Sequence, residues 1–179
     1  MDTTYTAFAS TRRLARGGLA DVAVAVQTHG SGGVLVFDDA TGRVTDLDLR
    51  GTAADVKARY ALPSPQRGPG RPKLGVVARE VTLLPRHWEW LATQPGGASV
   101  ALRKLVDAAR QQSAPADQKR SAQEKAYRFM SAMAGNEQGF EEATRALFAG
   151  DAARIRAQMS TWPGDVRDYT LSLADGAFL

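Results

Sequence analysis

The chain has 179 residues, of which 44% are hydrophobic and 23% charged, and its formal net charge is +4 at pH 7. This length fits one ordinary domain or two small ones. Cysteine is absent, which excludes a disulfide framework, a thiolate zinc site and a cysteine nucleophile. The N-terminus lacks a basic head followed by an apolar run, and the longest apolar-rich stretch is interrupted by Asp21. We therefore expect a soluble, cytoplasmic protein without a membrane partner.

Residues 1–62 form the first predicted segment, a small α/β unit of order β-α-β-β-α. "YTAFAS" alternates like a strand, and "LADVAVAVQTHG" has helical spacing and stops at Gly30. "GGVLVFDDATGRVTDLDL" predicts a hairpin with Gly42 in its turn. Thr52 then caps a second helix, with Asp55 at the capping-box position.

Residues 63–75 contain four of the eight prolines and three glycines, which predicts an extended basic linker arm. Residues 76–112 predict a strand followed by two helices. The strand "LGVVAREVTLLP" ends at Pro85, which suits the first turn of the helix "RHWEWLATQ". Ser99 is the predicted N-cap of the next helix, "VALRKLVDAARQQ".

Residues 113–179 form a predicted C-terminal helical region that begins with the polar loop "SAPADQKR". Apolar stripes at helical spacing mark its helices. The stripes comprise Ala126, Phe129, Met130 and Met133; Phe140, Ala143, Leu147 and Phe148; Ile155, Met159 and Trp162; and Val166, Tyr169 and Leu173. The segments together predict an α+β protein.

Charge is unevenly distributed along the chain. Basic and acidic residues balance over residues 1–62 and again over residues 87–179. Residues 63–86 contain five Lys/Arg and one Asp/Glu, so this stretch carries the whole excess of +4. A concentrated basic patch is the electrostatic footprint of a phosphate-binding surface. The alternative explanation is a solvated linker that merely tolerates Arg and Lys.

Catalytic and metal-binding patterns are weak. His29 and His87 lie in different segments, and a structural role explains both. The glycines of "GSGGVLVF" precede a strand, which is the wrong order for a phosphate loop. Asp38, Asp39, Asp46 and Asp48 surround the predicted hairpin without EF-hand spacing, so a solvated turn explains them. We expect no enzymatic activity, no catalytic residue, no cofactor and no metal.

The β-α-α segment resembles the ribbon-helix-helix (MetJ/Arc-type) DNA-binding proteins. The matching stretches are "VTLLP", "RHWEWLATQ" and "GGAS" followed by "VALRKLVDAAR". The resemblance implies that the strand pairs with a second copy, and that the resulting ribbon enters the DNA major groove. It also implies that Ser99 and the amides after it hold a DNA phosphate. The structural alternative is a β-α-α element packed in an ordinary core.

The strand can meet DNA in two registers. If Val77, Val81 and Leu83 face the core, Ala78, Glu80 and Thr82 face the groove, and a shift by one residue brings Arg79 there. "GRPK" resembles an AT-hook in which Pro69 replaces the first arginine, and so predicts a basic arm beside the ribbon. The predicted DNA-contacting residues are Arg67, Arg71, Lys73, Arg79, Glu80, Thr82, Arg86 and Ser99.

The chain as a whole resembles the bacterial family called domain of unknown function 2239. The stretches that carry this include "LADVAVAV", "VFDDATGR", "DLDLRGT", "FEEATRALFAGD" and "WPGDVRDY", besides most of the β-α-α segment. The resemblance covers nearly the full length and implies no activity. Our hypothesis is a homodimer that binds double-stranded DNA in the cytoplasm or nucleoid, with transcriptional regulation as a candidate role. The alternative is a non-enzymatic protein-interaction or small-ligand adaptor that uses the β-α-α segment only to dimerise.

Overall fold

The computed structural model describes residues 3–61, 75 and 77–178. The chain divides into two units, one built from residues 1–62 and 115–179 and the other from residues 63–114. A three-stranded antiparallel sheet lies near the N-terminus, and most of the remaining described residues are helical. The predicted α+β class is therefore confirmed.

The N-terminal elements of the first unit are three strands and two helices. They are β1 (Tyr5–Ala9), β2 (Arg12–Gly17), α1 (Leu19–His29), β3 (Val34–Asp38) and α2 (Ala53–Tyr60). The strand order in the sheet is β2-β1-β3. The chain order β-β-α-β-α differs from the predicted β-α-β-β-α. Strand β2 escaped prediction because its sequence, "RRLARG", is that of a charged edge strand rather than an apolar alternation.

The prediction of a return strand after the 39–42 turn is wrong. The only β-pairing described there is an isolated bridge between Phe37 and Val44. The backbone beyond that bridge finds other partners. The Gln27 side chain donates to the Leu49 carbonyl at 3.0 Å, and the Asp48 N–H donates to the Tyr60 hydroxyl at 2.6 Å. Side chains of α1 and α2 thus replace the hydrogen bonds that a strand ladder would have supplied.

Alternate residues of the sheet pack on its two faces, as the two-residue period of a strand requires. Ala7 and Val36 contact the apolar side of α1 through Val22 and Val26. Phe8 and Phe37 point the other way, into the core formed with the C-terminal helices. The sheet is therefore covered on both faces, and the first unit joins the two ends of the sequence.

The last helices of the first unit follow the predicted stripes. They are α5 (Phe140–Ala149), α6 (Ala152–Gln158), α7 (Gly164–Leu173) and a short 3-10 helix (Asp175–Phe178). Every residue of the predicted stripes is buried or partly buried except Phe148, which is 49% exposed. Gly150 ends α5 in the left-handed conformation with φ +74°, as a C-terminal glycine commonly does.

Two further helices belong to the β-α-α part of the chain. Helix α3 (Pro85–Ala92) starts at Pro85 as predicted, and α4 (Gly97–Met133) is a single helix of 37 residues. The predicted loop over residues 113–120 is therefore wrong. Its Ala, Gln, Lys and Arg residues are good helix formers, and Asp117 forms an ion pair with Arg120 one turn later. Helix α4 also accommodates Pro115, which lacks a helical N–H donor.

Candidate nucleic-acid interface

The described part of the 63–114 unit buries few large side chains. Among residues 75 and 77–114, only Leu91 and Ala101 belong to the buried apolar set. Larger apolar side chains lie open, with Val77 71% and Trp90 50% exposed. The other exposed members are Val81, Leu84, Trp88, Leu105 and Val106. We call these seven residues the open apolar face. Because so few apolar side chains are buried, the described part of this unit has little hydrophobic core of its own.

An apolar cleft of about 280 Å³ lies beside this face. Its lining residues are Leu83, His87, Trp90, Leu91, Leu102 and Leu105. Leu83 is partly buried, whereas residues 77–82 and Leu84 are exposed. The side of the segment that carries Leu83 therefore faces the helices. This placement favours the register in which Val77, Val81 and Leu83 share the inner face.

Residues 77–84 do not form the predicted strand within one chain. Among the described residues, 77–83 make no backbone–backbone hydrogen bond. The first backbone group after this stretch to form such a hydrogen bond is the Leu84 carbonyl, which accepts from the His87 N–H at 2.9 Å at the start of α3. The strand does not form because the described part of this unit offers no other strand with which the segment could pair.

The predicted DNA-contacting residues fall into two groups. Arg67, Arg71 and Lys73 lie outside the described residues. Arg79, Glu80, Thr82, Arg86 and Ser99 are exposed. In the part of the chain that the structure describes, no ion pair involves Arg79, Glu80 or Arg86.

Ser99 is not the N-cap that the sequence predicted. Helix α4 begins two residues earlier at Gly97, because Gly96 and Gly97 have φ values of +85° and +76° and complete the turn. Ser99 lies in the first helical turn, where its carbonyl accepts from Arg103 Nε at 3.0 Å. Its backbone N–H is still among the early helix amides that lack an intrahelical acceptor.

Three basic residues of α4 lie outside the predicted set of DNA contacts. Arg103, Lys104 and Arg110 are all exposed on the first half of the helix. The charge count by region does not single them out, because residues 87–179 are neutral as a whole. Their local clustering in "LRKLVDAAR" was the available indication.

A second polar constellation lies in the first unit and centres on Asp39. Asp39 Oδ1 accepts from Tyr169 Oη at 2.6 Å and from Thr6 Oγ1 at 2.7 Å. Asp39 Oδ2 accepts from Thr4 Oγ1 and Arg16 Nε, both at 2.9 Å. With its side chain 9% exposed, Asp39 is not the solvated turn residue that the sequence predicted. We call these five residues the Asp39 junction.

In the Asp39 junction, hydrogen bonds to the carboxylate counteract the effect of burial on the pKa of Asp39. Burial raises the pKa of Asp39, but the hydrogen bonds from Tyr169, Thr6, Thr4 and Arg16 outweigh it, so the pKa falls below its usual value. Burial, followed by the hydrogen bond to the carboxylate, raises the pKa of Tyr169. Both carboxylate oxygens are already occupied by protein donors. The Asp39 junction therefore suits a structural role better than that of a general base or a metal ligand.

The described residues contain neither a metal-ligand cluster nor a membrane-spanning helix. Within residues 3–61 and 77–178, no group of three or more His, Cys, Asp or Glu side chains is placed to hold a metal ion. No helix over the same residues combines the length and the apolar character needed to cross a bilayer.

These observations define an α+β protein whose smaller unit carries the open apolar face and, in its sequence, most of the basic stretch. The chain belongs to the family described as an uncharacterized protein conserved in bacteria (DUF2239), whose family model matches residues 4–174. No curated protein and no solved structure matches the chain. The ribbon-helix-helix resemblance of residues 76–110 stays a prediction.

Proposed function

We propose that this protein is a homodimer that binds double-stranded DNA through the 63–114 unit, with transcriptional regulation in the nucleoid as its candidate role. The observation that carries the proposal is the open apolar face. Three of its seven members, Val77, Val81 and Leu84, lie within residues 63–86, which hold the whole net charge of +4.

The case for a dimer is energetic. A unit that buries only Leu91 and Ala101 among its described apolar residues has little core of its own. Covering Val81, Trp90 and Val106 would remove a large apolar area from water, at roughly 25 cal/mol per Å². A second copy also supplies a strand partner for the unpaired backbone of residues 77–83.

The case for DNA rests on charge. In this proposal Arg67, Arg71, Lys73 and Arg86 contact phosphates, and dimerisation doubles the number of these cations. Each phosphate that is neutralised releases condensed counterions, which makes binding steeply dependent on salt. Thr82 and Glu80 face the groove, where Glu80 has the chemistry to accept a hydrogen bond from the cytosine amino group.

The experiment measures the affinity of the full chain for a random duplex by fluorescence anisotropy over a range of salt concentrations. The plot of log K against log salt should be linear. Replacing both Arg71 and Lys73 by Ala should make it shallower by about 0.9 for each phosphate that the variant no longer neutralises. The matched control replaces Arg43 and Arg156, two exposed arginines of the first unit, and should keep the wild-type slope.

One observation favours the adaptor as a second candidate. With Leu83 lining the cleft, the outer face of the segment presents Ala78, Glu80 and Thr82, and none of these three is basic. A stable dimer without salt-dependent DNA binding would support this adaptor and contradict the DNA-binding proposal.

A further inference from the structure

We infer that a cleft at the β1–β2 turn of the first unit binds the phosphate group of a small phosphorylated molecule. The cleft has a volume of about 540 Å³, which suits a small-molecule ligand. It is lined by residues 9–14 and His29, all of which belong to the first unit. The inference therefore adds a second ligand and does not depend on the proposed binding of DNA by the 63–114 unit.

The backbone of residues 9–14 explains why six consecutive residues line one cleft, whereas a flat strand presents only alternate residues to one side. Among the described residues, Ser10 alone combines a side chain with a positive φ, of +50°. The pairing of β1 with β2 skips Leu14, which is therefore the extra residue of a β-bulge. Bulges redirect side chains and are frequent beside functional sites.

The cleft carries positive charge that no protein group neutralises. Within residues 3–61 and 77–178, neither Arg12 nor Arg13 forms an ion pair, although most described arginines of the first unit do. Asp165 reaches this segment, but its Oδ2 accepts from the backbone N–H of Arg13 at 2.8 Å and not from a guanidinium. The lining residues include no carboxylate. Two neighbouring guanidiniums are thus left for an anion.

The other polar side chains of the cleft can also donate hydrogen bonds. Neither the Ser10 nor the Thr11 hydroxyl bonds to another group of the described residues. His29 Nδ1 lies 3.3 Å from the Gly30 carbonyl oxygen. Because a carbonyl only accepts, Nδ1 is the donor there, and Nε2 is left to donate to an anion when the imidazole is protonated. Serine at a left-handed position costs conformational free energy that glycine avoids, which indicates a use for its hydroxyl.

This set of groups matches a phosphate better than a carboxylate. A phosphate monoester carries a charge of about −1.5 to −2 at pH 7 and offers three acceptor oxygens, which complements two guanidiniums and two hydroxyls. Each guanidinium can bind two of those oxygens with parallel hydrogen bonds. Ala9 and Leu14 supply apolar surface for the organic part of the ligand.

The experiment titrates the full chain with phenyl phosphate by isothermal titration calorimetry at low ionic strength. Replacing both Arg12 and Arg13 by Gln should weaken binding at least ~10-fold, because each lost charge-assisted hydrogen bond alone accounts for about that factor. The matched control replaces Arg43 and Arg156 by Gln. These are two exposed arginines of the first unit that also lack an ion pair with the described residues, and this variant should keep the wild-type affinity.

Three results of this titration would overturn the inference. The first is a wild-type chain that does not bind phenyl phosphate at millimolar concentration. The second is an equal loss of affinity in the two double variants, which indicates general attraction of an anion to a cationic protein. The third is benzoate binding as tightly as phenyl phosphate, because benzoate carries the same ring on a carboxylate.

A second measurement needs no variant and so does not depend on how the variants fold. Amide chemical shifts of the isotope-labelled wild-type chain are followed by NMR during the same titration. The largest changes should fall on residues 9–14 and on His29. Changes confined to other residues would overturn the assignment of the cleft.

A last arm distinguishes a small phosphorylated molecule from the phosphates of DNA. The Arg12 and Arg13 double variant should bind a random duplex with the wild-type affinity and salt dependence. Loss of duplex binding would overturn the inference, because the cleft would then be part of a DNA-binding surface, and the proposed function would stand. A wild-type chain that binds phenyl phosphate at the cleft but no duplex would support the inference and contradict the proposed function.

Discussion

The hydroxyl of Tyr169 donates a hydrogen bond to Asp39 Oδ1 at 2.6 Å, across 130 residues of sequence. Asp39 follows β3, and Tyr169 lies in α7. The Tyr169 ring also packs on Phe129, with centroids 4.6 Å apart, and on Phe8 at 5.3 Å. This contact attaches the N-terminal sheet to the C-terminal helices and explains why residues 1–62 and 115–179 share one unit.

Removing the hydroxyl should weaken this attachment. Tyr169→Phe keeps the buried ring but deprives a nearly buried carboxylate of one donor, which should lower the free energy of unfolding by about 1–3 kcal/mol. Urea denaturation followed by circular dichroism measures the change. Tyr127→Phe is the matched control, because Tyr127 is 40% exposed and its hydroxyl makes no hydrogen bond with the described residues. Equal losses in the two variants would contradict the assigned role.

The lowered pKa of Asp39 predicts a pH dependence with a definite sign. Because the folded-state pKa lies below the unfolded value of about 3.9, ionised Asp39 stabilises the fold above that unfolded value. This contribution disappears as the pH falls through the folded-state pKa. The free energy of unfolding should therefore differ most between wild type and Asp39→Asn near neutral pH. The difference should narrow in urea titrations below pH 4, and one that stays constant to pH 2 would contradict the prediction.

The turn after β3 requires glycine at position 42. Gly42 has φ +67°, and a Cβ there would overlap the backbone carbonyl oxygen of Lys125 in α4. Arg128 fastens the same turn by donating to the Thr41 carbonyl at 2.8 Å. Gly42→Ala should therefore lower the free energy of unfolding, measured by urea denaturation, by about 2–4 kcal/mol, because backbone strain and steric overlap add together.

Gly33 provides the control for this substitution. Its φ is +70°, but a Cβ there meets no atom within 4 Å. Gly33→Ala should lower the free energy of unfolding by only about 1–2 kcal/mol, which is the cost of the left-handed backbone conformation for a residue with a Cβ. A Gly42→Ala loss no larger than that of Gly33→Ala would show that the close approach to α4 is unimportant.

The open apolar face predicts that one charge should abolish dimerisation. Val106 is 54% exposed on α4, and Val106→Glu would place a carboxylate on the surface that the proposed second copy covers. Gln111→Glu adds the same charge about 140° further round the helix. Sedimentation velocity should show monomers for Val106→Glu and dimers for Gln111→Glu. Dimers in both variants would exclude this part of α4 from the interface.

Local patterns in the sequence predicted the elements whose stabilising contacts are themselves local. The capping box is confirmed, with the Thr52 N–H donating to Asp55 Oδ2 at 2.8 Å and the Asp55 N–H donating to Thr52 Oγ1 at 3.2 Å. The core stripes of the C-terminal helices are confirmed because helical spacing reports directly on burial.

The missed features depend on distant partners. Strand β2 exists because β1 is available as its neighbour, and its own residues are too polar to reveal it. Asp39 resembled a turn residue because its donor Tyr169 lies 130 positions away. In the β-α-α segment, by contrast, the sequence predicted a strand that one chain does not form. The pattern of residues 77–84 suits a strand, but the described part of one chain contains no partner for it.

A DNA-binding dimer is tested most directly by sedimentation velocity of the wild-type chain mixed with a short random duplex at low salt. We expect two chains to sediment with each duplex. Raising the salt concentration should release the DNA while the protein stays dimeric, because salt screens the phosphate contacts and leaves the apolar face intact. A monomeric protein, or a dimer that leaves the duplex free at low salt, would contradict the proposal.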